Sequence, residues 1–398
     1  MSDLKIFADL VETEAVAQIN KLIEQDAFKD CKIRVMPDVH TGVGCVIGFT
    51  ADLGEKVIPN IVGVDIGCGM LTVDLGKQDI DLGKIDNIIR NNIPYGKNVH
   101  EGRLVKFDKL KELHCYRDLK DTKRIEKSVG TLGGGNHFIE IDVDDNGNKY
   151  LIIHSGSRNL GNQVALYYQN LAIDLISGKD ELFAKQKELI EEYKSSGRKK
   201  EIQSAIKEMN KEFQSKELNI PKELCYLEGE YREKYLHDMK ICQEYASLNR
   251  RHMASLILDN YTNLKAGDSF ETVHNYIDHK SNIVRKGAIS AKKGEKLLIP
   301  INMKDGCILG IGKGNEDWNF SAPHGAGRLM SRTKAKELLN IEEYQSSMSG
   351  IYSTCVNKST IDESPMAYKP IESIIDNIKD TVEIISVIKP IYNFKASE

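Results

Sequence analysis

Apolar and polar positions alternate with period two along residues 31–36 (CKIRVM) and 70–75 (MLTVDL), and glycine-rich turns divide these runs. The first third of the chain therefore reads as short strands joined by turns. From about 163 to 218 the pattern changes. Lys, Glu and Gln dominate, and Ala205, Met209 and Phe213 recur at helical spacing, which predicts a charged helical pair inserted on the surface. Its Lys-rich part, 194–216, carries compensating glutamates and reads as a solvated face. A longer helix is predicted over 230–261, with Tyr235, Met239, Cys242 and Tyr245 on one core-facing stripe. Strand-like pieces return at 296–299 and 307–311.

Length adds that the 398 residues suffice for one large domain or two. Fifty-five Lys and Arg against 59 Asp and Glu give a net charge of −4, so any nucleic acid must be met by a local basic site rather than a global field. The N-terminal residues lack a basic segment followed by an apolar one, and no run is long enough to span a bilayer. A soluble, cytoplasmic protein with no membrane partner is expected. Eight scattered cysteines with no CxxC pair fit a reducing compartment.

The chemically suggestive residues share one context, the end of an apolar run beside glycine. Residues 60–69 (NIVGVDIGCG) deliver Asp65 and, three positions on, Cys68 into a turn. His154 ends the buried-type run 149–154, and His274 follows another short run. One such histidine is ordinary in a core. Three histidines with an Asp and a Cys in like settings point to a metal centre. If residues 133–142 (GGGNHFIEID) form a strand, Asn136, Phe138 and Glu140 share one face, while His137, Ile139 and Ile141 share the other. An amide, an aromatic plane and a carboxylate suit a purine, and guanine's ring N–H and amino donors suit Glu140. In 321–328 (SAPHGAGR), small neighbours leave the His324 ring open to a bulky phosphate ester, with Arg328 near to hold its oxygens. A P-loop is absent, and Met303-Lys304-Asp305-Gly306 lacks the spacer of the Lys-x-Asp-Gly nucleotidyl-ligase signature.

Five blocks in one order, 36–42 (MPDVHTG), 63–69 (GVDIGCG), 133–140 (GGGNHFIE), 154–158 (HSGSR) and 324–328 (HGAGR), resemble the RtcB family of RNA ligases. The likeness runs from about 36 to 395. It implies an α+β fold, a single large domain over 1–398 with mixed central sheets surrounded by helices. It also implies an enzyme that joins RNA ends carrying a 3′-phosphate or 2′,3′-cyclic phosphate to 5′-hydroxyl ends, with GTP and one or two manganese(II) ions as cofactors. RNA repair is the expected setting. By the resemblance, Asp65, Cys68, His137, His154 and His274 are metal ligands, with Cys68 able to bridge two ions, and His324 is the nucleophile that carries GMP. Asn136, Phe138, Glu140, Asn275, Ala326, Gly327, Tyr368 and Lys395 match guanylate contacts, and Arg158, Lys286 and Arg328 match phosphate contacts.

One stretch departs from the family pattern. Residues 300–306 (PINMKDG) replace the Pro-Gly-Ser-Met-Gly turn of many relatives, so the serine contact to the nucleotide is missing and the chain resembles a divergent branch. Two other readings stand beside the ligase. A metal-dependent phosphoesterase acting on cyclic phosphates needs the Asp, Cys and His cluster but not His324 or a guanine-facing strand. A non-enzymatic RNA-binding protein needs neither.

Overall fold

The computed structural model describes residues 2–9, 11–213 and 216–396. Its strands are β1 (Asp3–Ile6), β2 (Lys32–His40), β3 (Ile47–Asp52), β4 (Gly69–Gly76), β5 (Phe138–Val143), β6 (Lys149–Ser155), β7 (Ser269–Val273), β8 (Asn275–Asp278), β9 (Ile283–Lys286), β10 (Ala288–Ser290), β11 (Lys296–Asn302), β12 (Gly306–Gly312), β13 (Ser321–Pro323) and β14 (Val382–Lys395). Seven of them make an antiparallel sheet ordered β11–β12–β14–β5–β6–β4–β7. Five make a mixed sheet ordered β1–β2–β3–β9–β8, in which only the β1–β2 pair is parallel. β10 and β13 form a short ribbon. Among the described residues the architecture is α+β, with sheets at the centre and helices packed outside.

Period-two alternation sets the two faces of the larger sheet. Leu71, Val73, Ile139, Ile141, Leu151 and Ile153 point to one side, where they meet Ile85 and Ile89 of helix Leu82–Asn92 and Met253 and Ile257 of helix Gly229–Asn260. Met70, Phe138 and Ile152 point to the other, against Leu298, Cys307 and Ile388. That second face, at the end of β5 and β6, is where the polar side chains described below collect. The alternation proposed for 133–142 begins only at Phe138, because Gly133 and Gly135 hold positive φ and turn the chain ahead of β5.

Helix Gly229–Asn260 lies within one residue of its sequence-predicted span at each end, and its Tyr235, Met239, Cys242 and Tyr245 are all buried. Two further buried residues on it are polar. Asn249 accepts from the Gly130 and Thr131 N–H groups and donates to Thr131 O, Ser155 Oγ and Gly156 O. Arg250 donates to Gly67 O and Ser155 O, both at 2.8 Å. The helix thus ties together the loops that precede β4 and β5 and follow β6.

Residues 158–213 run through helices Arg158–Asp174, Asp180–Ser195 and Ile202–Glu212. The first buries Leu160, Val164, Ala165, Tyr168 and Ala172 in the core, whereas the third buries no residue. Positions 214 and 215, within the sequence-predicted charged pair, lie outside the described residues. No helix of the described residues is long and apolar enough to cross a membrane.

Arg250→Met keeps the length of the side chain but removes the charged donor from two buried carbonyls. It is expected to cost about 2–5 kcal/mol, since each hydrogen bond from a charged donor contributes roughly 1.5–3 kcal/mol, read as a lower urea midpoint at unchanged slope.

Candidate active site

Asp65 and Cys68 lie in the turn before β4, His137 just before β5, His154 near the end of β6, and His274 between β7 and β8. Their ligand atoms form two triads, Asp65–Cys68–His137 and Cys68–His154–His274, within each of which the atoms lie no more than 4.8 Å apart. Cys68 belongs to both. Its Sγ is 3.4 Å from His137 Nε2 and 3.3 Å from His154 Nε2. The far nitrogens meet backbone carbonyls: His137 Nδ1 is 2.9 Å from Leu132 O, and His154 Nδ1 is 3.2 Å from Asn136 O. The His154 contact assigns its ring proton to Nδ1 and turns its Nε2 lone pair toward the sulfur, whereas His137 faces oxygen acceptors with both nitrogens, its Nε2 lying 3.0 Å from Asp65 Oδ2. Arg158 Nη1 also approaches His137 Nδ1, at 3.3 Å.

Charge in this cluster favours a cation. Burial alone raises the Asp65 carboxyl, but the His137 hydrogen bond and charge and the Arg158 guanidinium outweigh it and hold the pKa down to about 2. Burial, with lesser effects from neighbouring cations including Lys395 for His154 and Arg250 for His274, pushes both well below the ordinary histidine value, so both are neutral donors at physiological pH. Burial and the Asp65 carboxylate push the Cys68 thiol up. His274 Nδ1 is buried without a partner among the described residues. A divalent ion among these imidazoles, the sulfur and the carboxylate relieves each cost at once. Imidazole and carboxylate fit manganese, and the shared sulfur suits a pair of ions.

His324 follows β13 at the end of the imidazole row. Its ring centroid is 5.0 Å from that of His274, which is 5.1 Å from that of His154. Asp38, fully buried on β2, accepts from His324 Nδ1 at 2.6 Å and from the His324 backbone N–H at 3.1 Å through the same oxygen. The proton therefore sits on Nδ1, and Nε2 is left with the free lone pair. Gly327 makes this approach possible. It holds φ +76°, and a Cβ there would lie 2.6 Å from Asp38 O.

A cavity of about 310 Å³ opens onto this row. Its wall gathers Asp65, Cys68, Asn136, Phe138, Glu140, His154, His274, Asn275, His324, Ala326, Gly327, Arg328, Tyr368 and Lys395 of the residues expected from sequence, together with His40, Arg332 and Glu363. Glu140 is buried and accepts from Asn393 Nδ2. Burial raises its pKa, with Lys395 and Asn393 opposing. Lys395 pairs with Glu363 at 2.5 Å and donates to Asn136 O at 3.1 Å. Tyr368 donates to Glu363 at 2.8 Å and accepts from Arg328 at 3.1 Å.

His137, Arg158 and Lys286 fall outside the cavity lining. His137 stands behind Asp65 and Cys68. The Arg158 guanidinium lies over Gly133, where a Cβ would meet Nη2 at 1.9 Å. Lys286 is buried and donates to Val43 O at 2.6 Å and Asn60 O at 3.0 Å, pinning the loop after β2. In the departing turn, the Asn302 side chain is spent locally: Oδ1 accepts from the Lys304 and Asp305 N–H groups and Nδ2 donates to Asp305. Pro300, Ile301 and Met303 give that stretch of wall an apolar surface.

The sequence reading assigned no role to Asp38, His40, Glu363 or Asn393. For Asp38 a signal was present, a carboxylate inside a β-like stretch two positions before a histidine. For Glu363 there was none, since its partners Arg328, Arg332, Tyr368 and Lys395 are scattered through the last 70 residues.

A tRNA-splicing ligase RtcB family model matches residues 18–120 and 111–396. The RNA-splicing ligase RtcB of Escherichia coli K12 is 32% identical over 399 residues, covering 90% of this chain and 88% of that protein. The tRNA-splicing ligases RtcB of Nanoarchaeum equitans and Methanococcus maripaludis are 27% and 25% identical, over 92% and 89% of this chain and 86% and 85% of theirs. The proteins matched are all named as RNA- or tRNA-splicing ligases, which places the chain among RNA ligases. The chain belongs to the RtcB family.

Because Cys68 serves both triads and His274 only one, the two substitutions should differ in metal content. After equilibration with manganese(II) and gel filtration, elemental analysis should find Cys68→Ala depleted at both positions and His274→Ala at one. Equal retention in both variants would remove Cys68 from the shared position.

Proposed function

We propose that this protein is an RNA ligase that joins 3′-phosphate or 2′,3′-cyclic phosphate ends to 5′-hydroxyl ends, using GTP and manganese(II). The observation that carries the reading is the Asp38–His324 pair, which commits Nδ1 to a buried carboxylate and leaves Nε2 free beside the imidazole row. His324 Nε2 attacks the α-phosphorus of GTP, the bond to pyrophosphate breaks, and a histidine–GMP phosphoramidate forms. An oxygen of the RNA 3′-phosphate then takes the GMP, releasing His324. The 5′-hydroxyl of the second end attacks the 3′-phosphorus, and GMP leaves with the bonding pair. A cyclic phosphate is first opened by water to the 3′-monophosphate.

Asp65, Cys68, His137, His154 and His274 hold manganese, which when bound offsets phosphate charge and orients the leaving group. Phe138 offers a plane for the base, and Glu140 accepts from guanine's ring N–H and amino group. Asn136, Asn275, Ala326, Gly327, Tyr368 and Lys395 complete the guanylate site, while Arg328 faces its phosphates. Arg158 and Lys286 act on RNA phosphates only if their present partners are released. A hydrolase confined to cyclic phosphates needs neither an oriented His324 nor Glu140, so ligation is the better reading. The 1–398 span is read as one ligase domain with the charged helical pair inserted in it, and damaged RNA as the substrate source.

Incubation with manganese(II) and GTP labelled on the α-phosphate should yield an acid-labile protein adduct that is absent in His324→Ala and about a hundredfold slower to form in Asp38→Ala, the scale lost with an orienting carboxylate. No adduct in the unaltered protein sinks the ligase reading.

GTP affinity should also depend on pH. Glu140 must be ionised to accept from guanine, and burial raises its pKa, so the acceptor is lost as pH falls through a value above the ordinary glutamate range. Competition binding should show GTP weakening on acidification, with the dependence abolished in Glu140→Gln. A flat profile in the unaltered protein contradicts the assignment.

A further inference from the structure

His40 is the one imidazole of the cavity wall to which the mechanism above gives no part. It ends β2 two positions after Asp38, at the far side of a register shift in the β2–β3 pair. Asp38 meets the two histidines through different acceptors: its carboxylate takes the His324 Nδ1–H, and its backbone carbonyl lies 2.8 Å from His40 Nδ1. A carbonyl accepts only, so the His40 proton is on Nδ1 and Nε2 carries the lone pair. His40 is therefore fixed in the tautomer of a base, next to the nucleophile and on the wall of the same cavity.

The chemistry has a vacancy for such a group. Guanylylation needs no base, because His324 Nε2 attacks with its own lone pair. Joining does, because a 5′-hydroxyl is a poor nucleophile until its proton is removed. We propose, on the ligase reading above, that His40 Nε2 is the general base of the joining step. The 5′-hydroxyl oxygen bonds to the 3′-phosphorus, the bond from that phosphorus to GMP breaks and GMP leaves with its electron pair, and the hydroxyl proton passes to His40 Nε2 and on to water. Charge balances without any further reactant.

The surroundings support a neutral imidazole. Facing His40 are Asp38 on its own strand, His324 after β13 and Lys369 after the turn Pro365–Ala367. Burial lowers the pKa most, His324 and Lys369 lower it further, and the Asp38 carbonyl and charge oppose them. Lys369 is tied to Pro37 O and Val39 O at 3.1 and 3.5 Å, which fixes its charge beside the strand.

The test separates steps. His40→Asn retains an N–H for the Asp38 carbonyl but has no basic nitrogen, and His40→Ala serves as the second variant should the first not fold. Each is assayed for adduct formation with labelled GTP and, in single turnover, for joining of an RNA already carrying a 3′-diphosphate-linked guanosine to a 5′-hydroxyl RNA. The expected result is adduct formation within about threefold of the unaltered protein, and joining slower by about a hundredfold or more with its acidic limb lost. Joining within threefold overturns the proposal, as does an equal fall in both steps, which would make His40 a support for His324. His324→Ala on the same preactivated RNA removes the rival base: joining that fails there but survives loss of His40 assigns the proton to His324. Absence of both adduct and joining in the unaltered protein instead overturns the ligase reading itself.

Discussion

Arg250 is the constraint on which the site depends. A guanidinium buried to 1% exposure is expensive, and it is retained here by two backbone carbonyls, Gly67 O and Ser155 O, with Glu271 3.5 Å away. Gly67 adjoins Cys68 and Ser155 adjoins His154, so one side chain sets the spacing between two proposed metal ligands. Asn249 repeats the device one residue earlier, holding 130–131 and Gly156 and so the approach to His137. Helix Gly229–Asn260 carries no proposed ligand, yet two ligand-bearing loops and the end of β6 take their positions from it.

The cavity is then divided by charge. Toward the imidazole row, burial keeps His154 and His274 neutral and lone pairs converge, a surface for cations and, through them, for phosphates. Toward Glu363 the same burial is met by full pairing, with Arg328, Arg332, Lys395 and Tyr368 all directed at one carboxylate. His324 stands at the cavity wall at the end of the imidazole row. The turn at 300–306 adds apolar surface in place of a hydroxyl, because Asn302 is consumed in capping its own turn.

Much of this was legible in the sequence because the informative residues sit in short local patterns. Period two identified the strands around 31–36 and 70–75, a short apolar run the one around 307–311, and period 3.6 the long helix with its stripe. Glycine beside Asp65, Cys68, His137 and His324 marked turns where side chains are presented at close range. What stayed hidden was non-local. β14 supplies Lys395 to the cavity wall and Asn393 as a donor to Glu140, and it is an internal strand of the seven-stranded sheet, yet Pro390 interrupts its run and is accommodated only by a register shift against β5. Asn249 and Arg250 read as ordinary polar helix residues until their carbonyl partners, nearly a hundred or more positions away in the chain, are brought to them. The pairing of Asp38 with His324 spans 286 positions, and no local spacing encodes it.

On the proposed function, Asp38 decides which nitrogen of His324 reacts. Phosphorus NMR of the guanylylated protein, read with tandem mass spectrometry of the modified peptide, distinguishes the two phosphoramidate isomers. The account predicts GMP on Nε2 of His324 and no other residue. GMP on Nδ1, or on a lysine, would contradict it.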